Sequence, residues 1–257
     1  MTAAVSSPAE TEVIDLVDSL RGEWIKLPLA AMRDVGPAAQ TLGGLLAITN
    51  RETFVATAKI ADRARLPVAT IRKHLATLHA RGWIEHKGRG RTRSGVLRRT
   101  VTYQVTNKSR DAAAEYGALP WWACCSIRRF GRFTWSAKAV LAVVIGRLMS
   151  MAAAIEVQDG RGVDAADFWG ALANMGDDDH FRFSLDRLTS ATGLSVHSVV
   201  RAKGELKRAD IVDWWERKRP DGGDDRDVLM PREEFRVLVS PASEARCSIE
   251  FDRGEGD

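Results

Sequence analysis

The sequence predicts a mainly α-helical fold with small β-hairpins, an α+β protein built from two similar units in tandem. Three observations predict it. Residues 59–83 have the pattern of a helix, a tight turn and a second helix. They are followed by two strand-like segments on either side of a glycine-rich loop. The same order of patterns returns 128 residues later. A chain of 257 residues accommodates two domains more readily than one.

The second helix of the first pair is defined by its apolar spacing. Apolar residues recur in steps of three, four and three, at Val68, Ile71, Leu75 and Leu78. This is the period of a helix with one buried face. Pro67 suits the first helical position, and Gly82 suits the end of the helix. The outward face is then polar and basic, with Arg72 and His74 on its flanks and these residues at its centre: Ala69, Thr70, Lys73, Ala76 and Thr77. Such a face suits a helix that enters a DNA major groove, whereas the alternative is an ordinary surface helix.

A hairpin with a basic tip is predicted directly after this helix. Residues 83–86 and 99–105 have the pattern of short strands. The loop between them is rich in glycine and contains five cations, Lys87, Arg89, Arg91, Arg93 and Arg98. Helix, turn, helix and basic hairpin together resemble the winged-helix family, in particular the modules of bacterial plasmid and phage replication proteins and of small helix-turn-helix regulators. The resemblance covers residues 23–106 and includes W-I-K-L-P at 24–28 and G-W-I-E at 82–85. It implies a DNA-binding fold.

Positive charge is concentrated on this segment. Residues 21–110 contain 18 Lys and Arg against 5 Asp and Glu, a net charge of +13, whereas the whole chain has a formal charge of only +4. The first twenty residues are acidic, and residues 111–257 have a net charge of −5. This distribution is the electrostatic footprint of a protein that binds a polyanion.

The remaining elements of the first half are predicted in chain order. Residues 1–10 are predicted as a disordered tail, and Thr11–Leu20 as a short acidic amphipathic helix. A strand is expected at Trp24–Leu27, a turn of helix at Leu29–Arg33 and a long helix at Pro37–Thr49, whose two adjacent glycines would permit close packing. The first domain is placed at residues 21–106, and residues 107–118, which are polar and alanine-rich, are predicted as a partly helical linker.

The second domain is predicted at residues 119–240 because the pattern repeats there. The stretch from Leu188 to Asp213 aligns with the first helix pair at an offset of 128, and the helix before it aligns at an offset of 95. The difference indicates an insertion around residues 149–179. A second hairpin is expected from strands Ile211–Trp215 and Glu234–Val239, and residues 241–257 are predicted as a mobile acidic tail. The chain therefore resembles two winged helices in tandem.

The second unit differs from the first at the positions that would contact DNA. Its outward helix face has His197, Ser198 and Arg201 as candidate DNA-binding residues, together with Gly204 and Glu205. Its hairpin tip mixes cations with acids, and Glu205 is expected to repel phosphate. We therefore expect the first unit to dominate the affinity for DNA, and the second to add reach, register or a dimer contact.

An enzyme is the less favoured class of function. Residues 177–180, D-D-D-H, offer hard-metal ligands of the kind a nuclease uses, but adjacent carboxylates point in different directions and a solvated loop fits better. The chain contains no phosphate-binding G-x-x-x-x-G-K-[ST] motif, and its histidines and cysteines lack zinc-binding spacing. We expect no catalytic site, no metal and no cofactor.

The composition predicts a cytoplasmic protein associated with nucleoid or plasmid DNA. The three cysteines fit a reducing compartment, and residues 1–8 lack the pattern of a signal peptide. The most apolar segment, 137–155, is interrupted by Lys138 and Arg147, so it is predicted as a core helix and not as a membrane span.

The expected function is sequence-specific binding of double-stranded DNA. The resemblance implies a plasmid- or phage-type replication initiator that binds origin repeats through both units. A transcriptional regulator, such as a repressor on a promoter operator, is the close alternative, and a homodimer is compatible with either. A module that only binds proteins is the third interpretation, and the basic segment argues against it.

Overall fold

The computed structural model describes residues 12–15, 24–48, 52–54, 56–91, 97–124, 133–159, 185–209, 212–218, 224–231 and 236–239. Within these ranges the protein is mostly helical with small antiparallel sheets, which confirms the predicted α+β class. Several predicted features lie outside the described residues: the tail before Glu12, most of the insertion, the D-D-D-H segment and the tail after residue 240.

The first half of the chain has the predicted order of elements. The strands are β1 (Glu12–Asp15), β2 (Trp24–Pro28), β3 (Glu52–Phe54), β4 (Ile84–Arg91) and β5 (Leu97–Val105). The helices are α1 (Leu29–Val35), α2 (Ala38–Ile48), α3 (Thr57–Ala64), α4 (Val68–Ala80) and α5 (Asn107–Ala112). The strand and the two helices predicted between residues 24 and 49 are thus confirmed, as is the helix pair at 59–81.

Helix α4 forms where the apolar period predicts it. Ile71, Leu75 and Leu78 are buried, and Pro67 immediately precedes the helix as its N-cap residue. Helix α2 approaches α3 closely because Gly44 has no side chain: a Cβ there would lie 2.7 Å from the Cβ of Ala64. The glycine pair in α2 therefore serves close packing, as predicted.

The hairpin that follows α4 belongs to a three-stranded antiparallel sheet in the order β3-β5-β4. Strand β3 lies between helices α2 and α3 in the chain and pairs with β5, with Glu52 opposite Gln104. Strand β4 pairs with β5 from Ile84 opposite Val105, and irregularities interrupt its register beyond His86. The hairpin is therefore held to the helices through a third strand.

The second half repeats the helix pair at the predicted offset. Its elements are β6 (Tyr116–Pro120), a 3₁₀ helix (Trp121–Cys124), α6 (Trp135–Asp159), α7 (Leu185–Thr192), α8 (Val196–Arg208), β7 (Val212–Lys218), β8 (Asp224–Pro231) and β9 (Arg236–Val239). Helices α7 and α8 have the bounds of α3 and α4 shifted by 128 residues. The turns correspond too, because Arg65 and Gly193 both adopt the left-handed conformation, with φ of 51° and 70°.

The two halves share a sheet and a core. Strand β2 pairs antiparallel with β6, and Lys26, at the centre of β2, lies opposite Ala118. Buried residues from both halves form one continuous cluster. Residues 107–118, predicted as a linker, instead contain α5 and the start of β6, whose backbone is held by its pairing with β2. The position of the boundary between the two predicted domains stays a prediction.

Two predictions about local structure are wrong. Glu12–Asp15, in the predicted amphipathic helix, form strand β1, which pairs with β9. The return strand of the second hairpin is β8, and not Glu234–Val239, because a connection of only five residues between β7 and β8 closes the hairpin locally. The described part of Glu234–Val239 is β9, which pairs with β1.

Candidate nucleic-acid interface

An exposed basic stripe runs along α4 on the side opposite the core. Its members are Ala69, Arg72, Lys73, Ala76 and Thr77. Arg72, predicted on the flank, is exposed beside Lys73, and Thr70 is half-buried. The Thr77 hydroxyl donates to the carbonyl of Lys73 at 3.3 Å, so its donor is used within the helix. Arg72 and Lys73 therefore supply the long cationic side chains of this face.

One flank of α4 is anchored to α2 by a hydrogen bond between side chains. Thr41 Oγ1 lies 2.8 Å from His74 Nδ1, and Thr41 is fully buried. His74 is half-buried, and burial lowers the pKa of its imidazole. This contact, together with the buried apolar stripe, fixes the rotation of α4 about its own axis and so determines which residues point outward.

The root of the first hairpin is held by a polar cluster around Asp34 on α1. Its carboxylate accepts from Trp83 Nε1 at 2.7 Å and from Lys108 Nζ at 2.9 Å, and Arg81 Nη1 lies 3.6 Å away. Lys108 also lies 4.3 Å from the centre of the Trp83 ring. The hydrogen bonds from Lys108 and Trp83 hold the pKa of Asp34 below its usual value. The cluster joins the end of α4 and the start of β4 to α1, and thereby sets the angle between the exposed stripe and the hairpin.

This cluster was missed by the sequence analysis. Asp34, Trp83 and Lys108 lie far apart in the chain, and no local motif connects them. The weak signal that was available is an isolated acid within a strongly basic segment, because an acid there is surrounded by potential partners.

The hairpin places four of its five predicted cations on described strands. Lys87, Arg89 and Arg91 lie in β4, and Arg98 lies in β5, whereas Arg93 lies outside the described residues. The described partners of β4 beyond the hairpin root are apolar: Arg89 lies opposite Val101 and Arg91 opposite Leu97. In this register neither Arg89 nor Arg91 lies opposite an acid.

Helix α8 presents a corresponding face with different chemistry. His197 and Arg201 are exposed, at the positions of Ala69 and Lys73 in the first unit. Ser198 is half-buried, and its backbone N–H and its hydroxyl both contact the hydroxyl of the capping Ser195, at 3.2 and 2.9 Å. Ser198 therefore belongs to the N-terminal cap as much as to the outward face.

Glu205, which the sequence predicts to repel phosphate, has its carboxylate bound within the protein. Its carboxylate accepts from the backbone N–H of Thr134 at 2.8 Å and from the Thr134 hydroxyl at 2.6 Å. Thr134 immediately precedes α6, so this negative charge lies at a helix N-terminus, where it is stabilised. The acid links α8 to α6, and its repulsion of phosphate stays a prediction.

The second hairpin differs from the first in its register. Arg217 lies opposite Asp225 and Lys218 opposite Asp224. In this register Arg217 and Lys218 each lie opposite an acid, an arrangement that favours opposite charges on neighbouring strands. The net charge that this hairpin offers to phosphate is correspondingly smaller than that of the first.

The described residues contain no group of three or more His, Cys, Asp or Glu side chains placed to hold a metal ion. Among the described helices, none combines the length and apolar character needed to cross a membrane. No family model matches the sequence, and no curated protein or solved structure matches it significantly.

Proposed function

We propose that this protein binds double-stranded DNA through two winged-helix units, the first of which is the main reader. The observation that carries the proposal is the exposed stripe with Arg72 and Lys73 on α4, a helix whose opposite face is buried and whose end leads directly into a basic hairpin. A helix of this kind fits the major groove, and the hairpin then lies where it contacts the neighbouring phosphates.

The arrangement of strands supports the winged-helix interpretation of the first unit. Strand β3, which lies between helices α2 and α3, pairs with the returning strand of the hairpin and so joins the hairpin to the helices. The Asp34 cluster adds a second attachment at the hairpin root. Phosphate contacts set the register of a protein on the duplex, so the cations that make these contacts need fixed positions.

Within this class we favour a plasmid- or phage-type replication initiator in the bacterial cytoplasm that binds origin repeats. One chain holds both units, and their outward helix faces differ, with Arg72 and Lys73 on one and His197 and Arg201 on the other. A reader made of two unequal halves binds DNA in one direction, which suits direct repeats. A repressor acting as a symmetric homodimer would instead require an inverted repeat. The repressor remains the alternative.

Titration of the full chain with duplex DNA tests the general proposal. Because the two halves share a core, the whole protein is the proper sample. If about five phosphates are neutralised, log K falls with log salt at a slope of about −4.5. The variant Lys73→Ala should weaken binding strongly, whereas Arg110→Ala, which removes one exposed cation from α5, serves as the charge-matched control. A slope near zero, or equal losses in both proteins, would contradict the proposal.

The two parts of the first unit are expected to act differently. Changing Thr70 and Lys73 to alanine should reduce the preference for the specific site, at about 1–3 kcal/mol for each lost base contact. Changing Arg89 and Arg91 to alanine should weaken specific and non-specific binding alike, because phosphate contacts do not distinguish sequences. Competition assays with specific and random duplexes separate the two effects, and an identical loss from both pairs would refute this division.

Footprinting distinguishes the initiator from the repressor. Direct repeats protected in the same orientation beside the coding region support an initiator. A single inverted repeat within a promoter supports the alternative.

A further inference from the structure

Two valines stand exposed on the first turns of α8. In the part of the chain that the structure describes, Val196 and Val200 are the large apolar side chains with the greatest exposure, at 52% and 51%. They are four residues apart, so they lie side by side on one face of the helix. The buried side of α8 is formed by other residues, among them Val199, Ala202 and Leu206. The valine pair is thus outside the core.

The pair adjoins a cationic surface. His197 and Arg201 are exposed beside the valines, and Arg208 is exposed further along the same helix. An occupant of this face therefore has to combine negative charge with a small apolar group. The major groove of DNA has this combination, because the C5-methyl group of thymine projects into a groove that is bordered by phosphates.

The correspondence between the two units places Val200 at an outward position, whereas the counterpart of Val196 packs against the core of the first unit. At the offset of 128 residues, Val200 occupies the place of Arg72, and Val196 that of Val68. Residues in the first turns of such a helix are the ones that reach base edges. Arginine at this position favours guanine, whose O6 and N7 accept its hydrogen bonds, whereas valine offers no donor and only apolar contact.

We propose that Val196 and Val200 read thymine methyl groups, so that α8 selects a thymine-containing half of the DNA site. The inference rests on the proposed DNA-binding function and deepens it, since it names the base feature that the second unit recognises. The complete site then pairs a guanine-containing half, contacted by Arg72 and Lys73 on α4, with a thymine-containing half contacted by α8. The valines are specificity-determining residues, and the surrounding cations supply most of the attraction.

Replacement of thymine by deoxyuridine tests the inference directly, because it removes the C5-methyl group and leaves the hydrogen-bonding edge unchanged. A specific duplex is first selected from random sequence with the full chain. The half that α8 protects is identified by a footprint that changes in Arg201→Ala, and its thymines are replaced. We expect the wild-type protein to lose about fourfold in affinity for each contacted methyl group, the value of about one buried methylene.

The matched variants decide whether the valines are responsible. Val200→Ala should bind the thymine and deoxyuridine duplexes with nearly equal affinity, and the double variant with Val196→Ala should abolish the difference. Arg72→Ala, at the corresponding position of the first unit, should weaken binding but keep the ratio of the two affinities. Both valines are exposed, so alanine there leaves the core intact, and thermal unfolding of each variant verifies this.

The results that overturn the inference differ from those that overturn the proposed function. Equal affinity of the wild-type protein for both duplexes, with specific binding preserved, eliminates methyl reading and leaves the DNA-binding proposal standing. No binding to any duplex eliminates both. If Val200→Ala converts a dimer to a monomer in sedimentation while the thymine-to-deoxyuridine ratio is unchanged, the face is a contact between two copies and the inference is wrong.

Discussion

Replacing Asp34 with alanine removes the acceptor that holds the hairpin root to α1. Trp83 is 1% exposed, so its indole N–H would lose its partner while remaining shielded from water. An unsatisfied buried donor costs about 1–3 kcal/mol. Lys108 is about half exposed, and solvent screening limits its ion pair to about 0–1 kcal/mol. We therefore expect Asp34→Ala to lower the free energy of unfolding by about 1–4 kcal/mol, with most of the loss arising from the indole.

Asp34→Asn separates the hydrogen bond from the charge. The amide oxygen still accepts from Trp83, so this variant should lose only about 1 kcal/mol, the difference between a charged and a neutral acceptor. Urea unfolding of both variants measures the effect, and Asp111→Ala, which removes an exposed carboxylate from α5, is the control. Equal stabilities of Asp34→Asn and Asp34→Ala would refute the assignment, because the indole would then contribute nothing.

The same residue predicts a dependence on pH. The folded state lowers the pKa of Asp34 below its ordinary value near 3.8. Between the two pKa values the unfolded chain binds more protons, so stability falls as the pH drops from about 4 through the folded pKa. Asp34→Asn should lack this part of the acid dependence. A wild-type profile that parallels that of the variant down to the acid limit would contradict the lowered pKa.

Three further predictions follow from the geometry. Arg201→Ala should reduce affinity for the specific duplex less than Lys73→Ala does, and should shorten the footprint, since the second hairpin is partly neutralised by its own acids; a larger loss from Arg201→Ala would make the second unit the main reader. Burial lowers the pKa of His74, so between the two pKa values the unfolded chain binds more protons than the folded one. The free energy of unfolding should therefore fall as the pH drops below about 6.5 through the folded pKa. In urea unfolding across this range, His74→Gln should show a smaller dependence of that free energy on pH. Gly44→Val should destabilise the protein by about 1–3 kcal/mol or more, because its side chain would overlap Ala64; unchanged thermal unfolding would show that α2 and α3 separate freely.

The differences between the two units have consequences for how they would share one DNA site. One feature that suggested weaker DNA binding by the second unit is the acidic character of its hairpin. The structure agrees with it, because the register sets Asp224 and Asp225 opposite cations. Glu205 caps the start of α6, so its carboxylate is bound within the protein. The inequality thus depends on the hairpins and on the different outward residues of α4 and α8.

The sequence by itself determined the elements whose order is periodic and local. The apolar residues of α4 recur in steps of three and four, and this spacing predicts which side of the helix is buried. The repeat was also readable, because α8 reproduces α4 at a constant offset, with Gly193 at the turn where Arg65 stands in the first unit. Each of these features depends on residues that are near one another in the chain.

Tertiary structure alone decided the pairings between distant segments. Glu12–Asp15 has the spacing of a short helix, yet it pairs with β9 near the other end of the chain, and a strand gains its hydrogen bonds only from such a partner. The joining of β2 to β6 and the cluster around Asp34 have the same origin. The exposure of Val200 was hidden as well, because an apolar residue next to the buried Val199 gives no local sign of which one faces the core. Which face of a helix is covered depends on what packs against it, and that information lies in residues far away along the chain.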